Sequence, residues 1–78
     1  MGTEKTHRAK HLWLENYMKA FWKKYPNGEI SLKKISSEFA IKLYASPKIA
    51  RDILGAYAAL KIIDIHGDVV TKTKKWSK

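Results

Sequence analysis

The chain predicts an α+β fold, three helices followed by a C-terminal β-hairpin, and three observations carry that expectation. Apolar residues recur at the 3.6-residue period through two stretches, and a third stretch opens on Ser46-Pro47, a helix start with proline where a missing N–H costs nothing. From residue 62 the pattern changes to the β-branched runs Ile62-Ile63-Asp64-Ile65 and Val69-Val70-Thr71 around Gly67. No repeat or change of composition divides the 78 residues, and a chain of that length supports one core. Residues 1–78 therefore read as one domain, with 1–6 as a flexible start and 74–78 as a basic tail.

Helix 1 is expected from His7 to Lys24 or Tyr25, capped by Thr3 or Thr6 and stopped by Pro26. Leu14, Met18, Phe21 and Tyr25 form its apolar stripe, and Lys10, Glu15, Lys19 and Lys23 its solvated side. Trp13, Tyr17 and Trp22 widen the stripe beyond what a small core needs, which marks them as candidates for a dimer interface. Pro26-Asn27-Gly28 is a turn, and Glu29-Ile30 allows a short strand.

Ser31 caps helix 2, whose apolar positions are Leu32, Ile35, Phe39, Leu43 and Tyr44, with Lys33, Lys34, Ser37 and Glu38 outward. It ends near Phe39 or runs on to Tyr44. Helix 3 follows Ser46 and turns Ala50, Ile53, Leu54, Tyr57 and Leu60 inward, which leaves Lys48, Arg51, Asp52, Gly55 and Ala59 outside. The hairpin turns at His66-Gly67. Trp76 either packs back on helix 1 or ends the chain as a disordered aromatic.

Charge narrows the function. Sixteen Lys and Arg against seven Asp and Glu give +9 at pH 7, an excess suited to a polyanion, nucleic acid before anionic membrane. Cysteine is absent, so no disulfide or thiolate site supports the fold, and packing alone must do so. A polar start and the lack of a span-length apolar run point to a cytoplasmic, nucleoid-associated protein with no membrane partner. The absence of Gln and the scarcity of Asn lean toward a thermophilic source, archaeal or viral. His7, His11 and Glu15 share a helical face, but they sit near a chain end with no fourth ligand nearby, so no metal is expected. No cofactor, small-molecule substrate or catalysis is expected either. There is no Gly-rich phosphate loop and no sheltered carboxylate pair, and Ser36-Ser37 lacks an evident base.

The order of elements, with Ile30 to Phe39, Ser46 to Leu54, Leu60 to Ile63 and the Gly67 hairpin, resembles the winged helix-turn-helix family over nearly the whole chain. Two features depart from it. The usual glycine between helices 2 and 3 is missing from Ala40 to Ala45, and Lys61 stands where a glycine often ends helix 3, so that helix 3 runs straight into the strand. The resemblance implies double-stranded DNA as partner, bound by a homodimeric transcriptional regulator with helix 3 in the major groove. Lys48 and Arg51 are then the base or phosphate contacts, Asp52 either accepts from cytosine or pairs with Lys48, and Gly55 keeps the face low. Backbone N–H groups from Ser46 through Pro47 to Ile49 suit a phosphate. Lys33 and Lys34 contact the backbone from helix 2, as do His66, Lys72, Lys74 and Lys75 from the wing and tail. Sequence-independent DNA or RNA binding and a protein–protein module are the competing expectations.

Overall fold

A computed structural model describes the backbone of residues 2–76 and the side chains from residue 8 on. The His7 side chain and the last two residues of the expected tail, Ser77 and Lys78, lie outside the described residues. Three helices and three strands occur in the order α1 (Gly2–Lys24), β1 (Ile30–Ser31), α2 (Leu32–Leu43), α3 (Pro47–Ala59), β2 (Ile63–His66) and β3 (Val69–Lys72). The class is α+β. The sheet is antiparallel, in the order β1-β3-β2. Ile30 pairs with Val70 on one side of β3, and Ile63 with Lys72 through His66 with Val69 on the other.

Helix α1 begins at Gly2, so Thr3 and Thr6 lie within it and neither is its cap. Its inward stripe is Leu14, Met18 and Trp22, at i, i+4 and i+8. Of the expected stripe, Phe21 packs partly buried against the core and Tyr25 is corrected here. Tyr25 falls just past the helix, where the helical period no longer sets its direction, and it is half exposed with its ring 5.2 Å from that of Phe21. A Cβ on Gly28 would come within 2.8 Å of the Phe21 ring and of Tyr25 Cβ. Trp22 Nε1 donates to the Gly28 carbonyl at 3.0 Å, which ties the turn to the core.

Ser31 caps α2 by accepting from the Lys34 N–H, and Ser46 caps α3 by accepting from the Lys48 N–H. Neither missing glycine prevents a sharp stop. Tyr44 takes the left-handed conformation (φ 50°) after α2, and Lys61 takes it (φ 66°) after α3, so α3 stops at Ala59 rather than running into β2. Leu60, expected inside, is therefore carried out to solvent at 61% exposure. Ile35 and Phe39 of α2 meet Ala50, Ile53 and Leu54 of α3 in one core that Ile30, Ile63 and Val70 close from the sheet. Each large side chain buried there stabilises the fold by about 1.5 to 3 kcal/mol of transfer free energy. Among the described residues, no helix is long and apolar enough to cross a membrane.

Candidate nucleic-acid interface

Because Ala50, Ile53 and Leu54 anchor α3 in the core, the helix period turns Lys48, Arg51, Asp52, Gly55, Ala56 and Ala59 to solvent. Nothing lies within 4 Å of where a Cβ on Gly55 would stand, so this face is open. Lys48 Nζ and an Asp52 carboxylate oxygen are 3.1 Å apart across one helical turn. An exposed pair of this kind adds little stability, but it commits Asp52 to its neighbour. Arg51 has no ion pair among the described residues.

At the expected phosphate site on the backbone at the start of α3, the positions after Ser46 offer no free donor. Pro47 has no N–H, the Lys48 N–H goes to Ser46 Oγ, and the Ile49 N–H goes to the Ser46 carbonyl at 3.0 Å. The same residues that make the helix start legible engage these two donors. At the start of α2 the donors are also taken, here by a residue from the hairpin. Asp68 accepts from the Lys33 N–H at 2.8 Å and from the Ser31 hydroxyl at 2.8 Å, while its carbonyl accepts from the Leu32 N–H. Lys33 and Lys34 can therefore meet an anion only through their exposed side chains. The Ser31 hydroxyl, followed by the Lys33 N–H, holds the Asp68 carboxyl below its ordinary pKa of 3.8.

Those contacts also fix the hairpin tip. Gly67 (φ 61°) leads a two-residue turn between His66 and Val69, and Asp68 pins that turn onto α2. The hairpin is thus shorter and more closely held than a projecting wing. His66 is exposed at its end, with Nε2 3.4 Å from the Asp64 carboxylate.

Lys72, Lys74 and Lys75 do not join that tip. The register sets Lys72 against Ile63, at the root of the hairpin, and Thr73 donates its N–H and its hydroxyl to the Ile62 carbonyl. Lys75 N–H donates to Thr73 Oγ1, and the Trp76 ring stands edge-on to Trp22, 4.9 Å between centroids. Trp76 packs on α1, so the tail as far as that residue is anchored.

The aromatics expected at a dimer contact are largely taken up by the protomer. Trp22 is 2% exposed, inside the core. Trp13 is half-buried with its ring 5.9 Å from Phe39, and the Tyr17 hydroxyl donates to Glu38 at 3.1 Å. Trp22 is thereby removed from any surface contact. Tyr44, expected on the apolar side of α2, is instead carried out to solvent by its left-handed turn, at 97% exposure, and Ile41, which the sequence did not single out, is 71% exposed. Among the described residues no group of three His, Cys, Asp or Glu side chains is placed to hold a metal. His11 instead lies against Tyr57, with 6.0 Å between the rings.

Comparison of the chain with protein-family models, with curated proteins and with solved structures gives no match.

Proposed function

We propose that the chain is a winged helix-turn-helix protein that binds double-stranded DNA sequence-specifically, as a small transcriptional regulator with α3 in the major groove. The observation that carries this reading is the open face of α3, where Lys48, Arg51 and Gly55 stand free of any covering element. A helix is about 10 to 12 Å across with its side chains, and a major groove about 12 Å wide admits it. Arg51, mid-face and without an ion pair among the described residues, is the base reader, best matched to guanine O6 and N7. Lys48 meets the flanking phosphate at the cost of loosening Asp52, and the Lys33 and Lys34 side chains meet phosphates from α2. The β1-β3-β2 sheet order and the +9 charge support the same reading. One domain touches few bases, so two chains on paired half-sites supply the remaining selectivity.

A second reading, binding to the backbone without sequence preference, is favoured by one observation. Beyond Arg51 the outward face of α3 continues through Gly55, Ala56 and Ala59, which have no polar side chain. Selection of bound fragments from random duplex DNA separates the two. The proposal expects enrichment of a short motif repeated about 10 bp apart. No enrichment, with binding retained, would replace it by the second reading.

A further inference from the structure

We infer that the groove between the α1–β1 turn and the end of β3 is a second polyanion contact, taking the sugar-phosphate backbone of a different duplex from the one on α3. One chain would then join two duplexes. This rests on the reading of α3 as a DNA-binding helix.

The groove has a volume of about 430 Å³ and runs between Pro26-Asn27-Gly28 and Thr71-Lys72-Thr73-Lys74. Its two walls are rigidly built, one by Gly28 on Trp22 and the other by Thr73 on Ile62 and Trp76 on Trp22. Lys72 and Lys74 line it, Lys75 follows, and Lys23 and Lys24 in the last turn of α1 lead directly into the turn. All five lysines are exposed, and none is in an ion pair among the described residues. Glu29, just before β1, is the carboxylate nearest in the chain to the Pro26-Asn27-Gly28 wall. Asn27 and Thr71 add a neutral amide and a hydroxyl of the kind that bonds phosphate oxygens.

The Gly28 wall of the groove rests on Trp22, on the core side of α3. Helix α1 packs on the inner side of α3, with Leu14, Met18 and Trp22 sharing the core with Ala50, Ile53 and Leu54. The groove is built on Trp22 and Gly28, whereas Lys48, Arg51 and Gly55 point away from that core. The short dimensions of the domain are 23 and 21 Å. Duplex DNA, with a persistence length of about 150 bp, does not wrap so small a body at low cost. A phosphate backbone in the groove therefore belongs to another duplex.

The test uses the full chain on an immobilised biotinylated duplex, with a fluorescent duplex of unrelated sequence added after washing. Wild type is expected to capture the second duplex. Lys72→Gln/Lys74→Gln/Lys75→Gln, loaded to the same occupancy of the immobilised duplex as wild type, is expected to lose capture. The triple Lys→Arg variant, which keeps charge, should restore it and shows that loss is not misfolding. Binding of the first duplex without capture of the second overturns this inference alone. So does capture that survives the glutamine variant, which assigns bridging to paired chains, or capture of fluorescent polyglutamate in preference to duplex. Failure to hold the first duplex overturns the reading of α3 and this inference with it.

Discussion

Asp68 and Ser31, 37 residues apart in sequence, form one cap on α2: the Ser31 hydroxyl donates to the Asp68 carboxylate at 2.8 Å and accepts from the Lys34 N–H at 3.2 Å. The first turn of α2 has no acidic residue of its own and carries Lys33 and Lys34 instead. The negative charge that suits a helix N-terminus is supplied by the hairpin turn.

Asp68→Asn is therefore expected to lower Tm at neutral pH, and Asp68→Ala to lower it further by removing the acceptor for the Lys33 N–H. Because hydrogen bonds from Ser31 and Lys33 lower the carboxyl pKa in the folded chain, its contribution is present above the ordinary value of 3.8 and is lost as pH falls through the lowered folded value. Melting curves from neutral pH into acid should show the gap between wild type and Asp68→Asn closing only in that window. A gap that is constant with pH would deny the carboxylate its role.

Trp22→Ala should destabilise the monomer by about 3 to 5 kcal/mol, as removal of a buried tryptophan does. Trp76→Ala should cost about 1 kcal/mol, the worth of an edge-on ring pair. Denaturant melts measure both, and sedimentation run alongside should show no shift of oligomeric state that is independent of unfolding. Truncation after Thr73 also removes Trp76, so its effect on DNA binding has to be compared with that of Trp76→Ala alone.

Gly28 and Gly55 should respond oppositely to a methyl group. Gly28→Ala forces a Cβ against Phe21 and Tyr25 and is expected to cost about 1 to 3 kcal/mol. Gly55→Ala meets open space inside a helix and should stabilise the chain by about 0.5 to 1 kcal/mol. If α3 approaches DNA closely, the same Gly55→Ala change weakens binding by about 1 to 3 kcal/mol, the worth of a base contact. Melting and binding measured on one preparation separate the two effects.

Much of the fold was legible because its signals are local. Ser31, Ser46-Pro47 and Gly67 each mark an element boundary by the chemistry of one or two residues, and all three stand where their chemistry predicts. Misreadings arose where a distant residue or a chain end decides. The period alone gave no reason to prefer Trp22 over Phe21 and Tyr25, since that depends on where α1 ends and on the Gly28 carbonyl. Tyr44 and Lys61 adopt a conformation that favours glycine, so their turns carry no glycine to announce them. At the candidate site, the open face of α3 was readable from spacing. The consumption of the donors at the start of α2 was not, because Asp68 reaches that helix from the other end of the chain. Equally, the separation of the tail lysines from the hairpin tip follows from strand register, which no local signal states.

Arg51→Ala, titrated against one preferred and one random duplex in parallel, tests the central claim most directly. The account expects a loss of about 1 to 3 kcal/mol on the preferred duplex and little on the random one, as removal of a base contact gives. An equal loss on both duplexes, or none on either, would contradict the placement of α3 in the major groove as the element that reads sequence.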